Sequence, residues 1–499
     1  MGDEAIASLR EPPVLVWERF LELTGIPRPS RGEEAARAYV VDWAQRHGWP
    51  SAVDAVGNVV VRVPATAGRE GAPTVVLQAH LDIVCERDPA SPVDPRAQAI
   101  RVLREDDWLV ADGTTLGADD GIGVALAMAA AEDGAVAHGP LELLLTVCEE
   151  QGLEGAKGLD PALVAGRLLV NLDGTSDGSL TVGCAGSAHA LVRVPLDPAP
   201  LADERVLLVE LGGARGGHSG GDIHRGRANA IVALGRLLRS ARTSAPLRLA
   251  TLEGGESRNA IPREASATIA VAGRDEDVIL AALDAGLEAL RAEHAGTGDD
   301  LSLAISSASA RAAASAETTA RALGLLGALP SGVISFAAGR ADAVETSTSL
   351  NVARSEGGVL SLASMIRSSS ASGLEEVAAT IERVARAHGA AVEIDRSYPP
   401  WEPSLDSPLV TAARRVYRRL FGIDPRLEVV HGGLECAVLG AKLPGVEMVS
   451  LGPTILDPHA PGERVSISST ERAFRLLVAL LDDLSRPSPG ASASTARTG

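Results

Sequence analysis

The sequence predicts an α/β protein: one domain with a mostly parallel central sheet flanked by helices, interrupted by an inserted α+β domain. Three observations predict it. Helix-like and strand-like runs alternate over roughly the first 180 residues, the texture then changes until about Pro400, and the first rhythm returns from Pro408 to Leu484. At 499 residues the chain also exceeds what one hydrophobic core holds, so two or three domains are expected.

The elements follow in order. Pro13 to Leu23 and Arg31 to His47 read as helices, the second opened by Pro29-Ser30. Val59 to Val63 and Thr74 to Gln78 are short β-branched runs, as buried strands require. Ile122 to Asp133 is an Ala-rich helix, and Leu141 to Val147 and Leu168 to Asp173 are strands again. This βαβ rhythm favours a parallel sheet covered by helices. From Ala185 to Pro400, strands such as Arg205–Leu211 and Ala265–Val271 alternate with long Ala/Leu helices such as Ala228–Ser240 and Val278–Glu293. Leu409–Phe421, Leu427–Val430, Glu447–Leu451 and Thr470–Leu484 then complete the first domain. The expected division is 1–185 and 401–485 for that domain and 186–400 for the insertion. Residues 486–499, small, polar and proline-bearing, read as a disordered tail.

Composition narrows the function. Hydrophobic residues make up 45% and aromatics only 2%, so the core is built from Ala, Val and Leu with few platforms for base stacking. A net charge of −19 repels phosphate backbones, and nucleic acid is excluded as an expected partner. The four cysteines, at 85, 148, 184 and 436, match no CxxC motif and do not read as a disulfide framework. A reducing cytoplasm is therefore expected. The acidic opening MGDEAIASLREPP has no apolar h-region, and no run approaches the ~18 uncharged apolar residues of a membrane span, so no membrane partner is expected.

Five segments carry candidate chemistry. In Val75-Val-Leu-Gln-Ala-His80-Leu-Asp82 a strand runs into a His and an Asp that period-2 alternation places on one face, at the strand end where open α/β sheets bind ligands. Gly117-Ala-Asp119-Asp120-Gly-Ile-Gly123 places two acids at the start of the Ala-rich helix. Glu149 and Glu150 end an apolar strand, where adjacent carboxylates are costly without a compensating cation or hydrogen bonds. Asp173 ends another strand, and His459 stands in a loop stiffened by Pro and Gly. Alone, each segment also reads as a capped strand end, a helix N-cap or a surface loop. Together, two His and three carboxylates suit two Zn²⁺ ions sharing a bridging carboxylate, spaced ~3.5–4 Å apart to hold and ionise a water. A serine hydrolase is disfavoured: Gly217-His-Ser-Gly-Gly lacks the GxSxG spacing.

At this point the chain resembles the co-catalytic dizinc exopeptidases, and within them the bacterial aminoacyl-histidine (Xaa-His) dipeptidases. The resemblance spans about residues 10 to 485. It rests on QAHLDIVCE, DGTTLGADDGIGVA, TVCEEQGLEGA, VNLDGTSDG, GGHSGGDIHRGRANAI, SRNAIPRE, HGGLECA and GPTILDPHAPGERV. The resemblance implies that Asp119 bridges two zinc ions, that His80 and Asp173 complete one site and that Glu150 and His459 complete the other. It implies Glu149 as general base and acid, Asp82 as the residue that orients His80, and a 119–120 peptide that is often cis. It further implies that the inserted domain is a lid through which a homodimer forms. His218 would help stabilise the reacting carbonyl, Asn259 and the Gly432-Gly433 turn would contact substrate, and Arg367 would take its terminal carboxylate.

The implied activity is hydrolysis of dipeptides, Xaa-His (carnosine-like) among them with broad specificity, by attack of zinc-activated hydroxide. Co²⁺ or Mn²⁺ would serve as substitutes. Two rivals stay open: an N-acyl amino acid amidohydrolase on the same fold, and a non-catalytic metal-binding scaffold. Two positions depart from the family pattern. Ala460 follows the second-site His where Ser is usual, and Ala437 stands where Gly is common. Both bear on substrate preference rather than on the metals.

Overall fold

The computed structural model describes residues 12–338 and 343–486. The expected tail from 487 onward and the opening segment to residue 11 lie outside the described residues. The chain divides into two compact units. One takes the chain up to Gly183, Pro403–Val429 and the stretch from Leu434 onward; the other takes Cys184–Glu402 and Val430–Gly433.

The first unit is built on an eight-stranded sheet. At its centre four strands run parallel: Leu141–Thr146, Val75–His80, Leu168–Asn171 and Glu447–Ser450. Val75–His80 and Leu141–Thr146 are buried along their whole length, which is why they read as continuous apolar runs rather than alternating ones. The flanks are antiparallel: Val59–Val63 pairs with Leu141–Thr146 on one side, and Ser179–Cys184 meets Glu447–Ser450 on the other. Beside the central strand lies the helix Ala118–Glu132, apolar all round and buried from Ala118 to Ala131 except at Asp119. Such a helix belongs inside a core, and its small Ala side chains let strand and neighbouring helix approach closely. Val14–Thr24 covers it with Val16, Trp17, Phe20 and Leu23. A smaller four-stranded sheet holds Val102–Glu105, Trp108–Ala111, Ile455–Leu456 and Arg464–Ser466.

The second unit is an antiparallel sheet of nine strands with helices Ala230–Ser244, Glu276–Glu293, Ala316–Ala328 and Ala371–Ala387. Its strands alternate. Leu207, Val209 and Leu211 face the core, while their neighbours point away from it. The α/β unit with its parallel centre and the separate α+β unit are the predicted fold class.

Candidate metal centre

Each candidate ligand is presented by a different turn of the first unit. His80 is the last residue of the central strand, and Asp173 lies two residues beyond the end of the adjacent strand Leu168–Asn171. Glu149 and Glu150 follow Leu141–Thr146 on its other side. Three neighbouring parallel strands thus deliver four side chains at their carboxyl ends. Asp119 sits at the kinked start of the Ala-rich helix with non-helical angles, φ −84 and ψ 105, and the Asp119–Asp120 peptide is cis. The turn before it needs Gly117, at φ +69, and Gly123 leaves room for Asp120, whose carboxylate a Cβ there would meet at 2.2 Å. His459 comes from the loop between Ile455–Leu456 and Arg464–Ser466.

The distances bring these residues together. His80 Nε2 stands 3.2 Å from Asp119 Oδ1 and 3.9 Å from Asp173 Oδ1. His459 Nε2 stands 3.2 Å from Asp119 Oδ2 and 2.9 Å from Glu150 Oε1. Asp119 therefore offers one oxygen to each imidazole. Three ligand-competent groups arise: His80–Asp119–Asp173, Asp119–Glu150–His459, and His80 with Glu149 and Glu150, each with its donor atoms within 4.8 Å of one another.

Asp82 differs from the period-2 reading. The strand stops at His80, so Asp82 lies beyond it and reaches back rather than sharing a strand face. His80 Nδ1 is 3.0 Å from the Asp82 carbonyl oxygen and 3.5 Å from its carboxylate. The same carboxylate accepts the Glu149 and Glu150 amides at 2.9 and 3.2 Å and the Ser30 hydroxyl at 2.8 Å. One buried acid thus fixes both the imidazole and the paired glutamates, the arrangement that orients metal-bound histidines.

The electrostatics fit a cation. Burial pushes the Glu149, Glu150 and Asp173 carboxyls up, and neighbouring acids add to the rise. Burial also pushes Asp119 upward, but bonds from His459 and His80 outweigh it and hold this carboxyl below the usual range. For His459 burial works downward, and bonds to Asp119 and Glu150 overcome it to raise the imidazole to about 10. Four acids and two imidazoles packed this closely must hold extra protons or take up positive charge. Divalent cations replace those protons, and a mixed imidazole–carboxylate set is what such ions require.

Two supports, Glu463 and Arg28, carry no signal in the sequence, and a third, Asp120, belongs to the acid pair already noted. Glu463, four residues past His459, accepts the amides of Leu116, Gly117, Ala118 and Asp119 at 2.8, 2.9, 2.7 and 3.1 Å. It joins the loop of one imidazole to the turn that carries Asp119. Arg28, fully buried, donates to the carbonyls of Leu81 and Gly117, both at 2.8 Å. Asp120 accepts the His80 amide at 3.2 Å. A lone acid in a Pro/Gly loop and an Arg between prolines carry no periodic signal.

The expected substrate residues lie in the second unit. His218 pairs through its short strand with Ala260, donates its amide to Asp222 at 2.9 Å, and accepts the Gly221 amide on Nδ1 at 2.9 Å. Arg367, buried, reaches Asn259 at 3.4 Å, and no carboxylate pairs with it among the described residues. Gly433 is fixed as glycine by Tyr398, whose hydroxyl a Cβ would meet at 2.3 Å, whereas a Cβ at Gly432 meets only Val430 at 3.5 Å. Between these residues lies one that was not anticipated, His431, whose Nε2 is 2.7 Å from the Ser347 hydroxyl.

Residues 76–483 match the sequence profile of Peptidase family M20/M25/M40. The chain is 39% identical over 474 residues to the cytosol non-specific dipeptidase of Escherichia coli K12, covering 95% of this chain and 98% of that protein. It superposes on the crystal structure of an aminoacylhistidine dipeptidase from Vibrio alginolyticus with a TM-score of 0.84 at 35% identity, over 96% of this chain and 97% of the other. An aminopeptidase from Bacillus cereus shares the fold, with a TM-score of 0.55 at 18% identity, over 95% and 98% of the two chains. The expected metallopeptidase class is met, and the chain belongs to Peptidase family M20/M25/M40.

Proposed function

We propose that the chain is a two-metal dipeptidase of broad specificity that accepts histidine at the substrate's C-terminal position. The observation that carries the two-metal part is Asp119, with one carboxylate oxygen 3.2 Å from each of two imidazoles. His80 and Asp173 would hold one ion with it, and Glu150 and His459 the other; Zn²⁺ suits these donors, with Co²⁺ or Mn²⁺ as substitutes. The dipeptide part is supported by the relatives' names, a non-specific dipeptidase and an aminoacylhistidine dipeptidase.

Bound cations would supply Lewis acidity toward the attacked carbonyl and the attacking water. Glu149, free of the two ligand sets centred on Asp119, takes the water's proton on a carboxylate oxygen and passes it to the leaving amine. Asp82 holds His80 and the Glu149 amide in place during that transfer. Arg367 takes the dipeptide's terminal carboxylate, a role its buried, acid-free guanidinium supports, beside Asn259 and the Gly432-Gly433 turn. His218 would stabilise the developing oxyanion. We further infer a homodimer formed through the second unit and a cytoplasmic location. The second inference is supported by the cytosolic relative and compatible with the absence, among the described residues, of any helix long and apolar enough to cross a membrane.

A substrate panel tests the reading. Purified protein should hydrolyse carnosine, other Xaa-His dipeptides and unrelated dipeptides, and should leave N-acetylated amino acids intact. Preference for the N-acyl compounds would instead establish an amidohydrolase, and inactivity on both with metal bound would establish a scaffold.

A further inference from the structure

The metal centre rests on a polar layer that the proposed chemistry does not use. Glu435 is 1% exposed at the start of the helix Glu435–Lys442. An acid in the first turn ordinarily complements the helix dipole from a solvent-facing position, whereas this one is buried. Its Oε2 instead accepts Gln78 Nε2 at 2.6 Å and the Thr146 hydroxyl at 2.5 Å. Gln78 Oε1 in turn accepts Asn171 Nδ2 at 2.6 Å. Gln78, Thr146 and Asn171 are each 0% exposed.

The placement of these partners is specific. Gln78 precedes His80 by two residues, Asn171 precedes Asp173 by two, and Thr146 precedes Glu149 by three. The chain Asn171–Gln78–Glu435–Thr146 therefore cross-links the three strands just before each releases its candidate ligands. Main-chain bonds already pair these strands. What the side chains add is a fixed offset between strand ends, the level of precision a metal site needs. A purely structural role is a poor account of Glu435. Glu435 Oε1 is buried with no hydrogen-bond partner among the described residues, and an unsatisfied buried acceptor costs stability rather than adding to it. Burial pushes its carboxyl up to about 7, while the charge of His80 favours its ionised form and that of Asp82 opposes it, so it shares the electrostatics of the same pocket.

We propose that Glu435 is a positioning residue for the metal centre, bracing the strand ends that present His80, Asp173 and the Glu149–Glu150 pair and supplying an ionisable carboxyl to the pocket that would take the cations. This rests on the two-metal reading above. The test uses the full chain as wild type, Glu435→Gln and Thr146→Val. Zn²⁺ dissociation constants are measured by competition with a chromophoric chelator, and melting of the metal-free forms is followed by circular dichroism. Glu435→Gln keeps the shape and loses the ionisable carboxyl. It should weaken Zn²⁺ binding roughly 10- to 100-fold, as loss of a supporting partner does elsewhere, without lowering the metal-free melting midpoint. Thr146→Val should weaken binding in the same direction by a smaller factor. Wild-type affinity in a folded Glu435→Gln would overturn the proposal. If that variant does not fold, wild-type affinity in Thr146→Val would overturn it. The constants are read without substrate, so they are unaffected if the protein proves to act on something other than dipeptides.

Discussion

Replacing Glu463 by glutamine removes an acceptor and leaves the chain otherwise the same size. The carboxylate is 2% exposed and accepts four main-chain amides, from Leu116 to Asp119. Two go to each oxygen: Leu116 and Gly117 to Oε2, Ala118 and Asp119 to Oε1. A glutamine keeps one oxygen and turns an NH₂ toward the other two amides, which then have no acceptor. An orphaned buried N–H costs about 1–3 kcal/mol, so the loss is about 2–6 kcal/mol. For a domain of this size that lowers the melting midpoint by roughly 5–20 °C. The assay is thermal unfolding of the metal-free wild type and Glu463→Gln followed by circular dichroism. Zn²⁺ affinity should fall as well, because the four bonds place Asp119 relative to the His459 loop. A midpoint within about 1 °C of wild type, with unchanged Zn²⁺ affinity, would refute the reasoning that this carboxylate pins the turn.

Two predictions concern the second unit. Arg367→Ala should raise KM for a dipeptide by roughly 10- to 100-fold, the worth of a charge-assisted contact, and should scarcely affect the same dipeptide as its C-terminal amide. Equal effects on acid and amide, read from initial rates, would remove Arg367 from carboxylate recognition. His431 is held down to about 4 by burial, aided by Arg367, His218 and His224, so it stays neutral where an unfolded histidine, near 6.5, gains a proton. The unfolded chain therefore binds more protons between those values, and His431 lowers stability as pH falls from 6.5 toward 4, by about 3 kcal/mol in all. The difference in urea midpoint between wild type and His431→Gln should shift against the wild type over that window and stay constant above pH 7.

Much of this is legible because buried strands and helices with a regular apolar face write long signals. The β-branched run Val59–Val63 has the observed strand's bounds, and Leu141–Val147 and Leu409–Phe421 match their elements to within a residue. Asp119 and His459 stand out as an acid at a helix start and an imidazole in a stiff loop; their residue types group them with His80, Glu150 and Asp173, and the resemblance assigns the roles. The period-2 argument for His80 and Asp82 named the right pair for an incomplete reason, since the strand ends at His80 and Asp82 folds back onto it. The supports stayed hidden for a physical reason. Glu463, Arg28 and Glu435 act through main-chain amides, carbonyls and neighbouring strands distant in sequence, at separations such as 347 residues between Leu116 and Glu463. No local period records such contacts. Val430–Gly433 likewise sits in a run that reads as part of the first domain, yet groups with the second unit, where His431 meets Ser347 and Gly433 meets Tyr398.

The central claim is that Glu149 moves the proton while its neighbours hold two cations, and one paired measurement addresses it. Metal content by mass spectrometry and dipeptide turnover are measured on the wild type and Glu149→Ala, each loaded with Zn²⁺. The account predicts two zinc ions per chain in both proteins, and turnover in Glu149→Ala reduced about 10²- to 10⁴-fold. Turnover within tenfold of wild type, or loss of zinc on removing Glu149 alone, would contradict it.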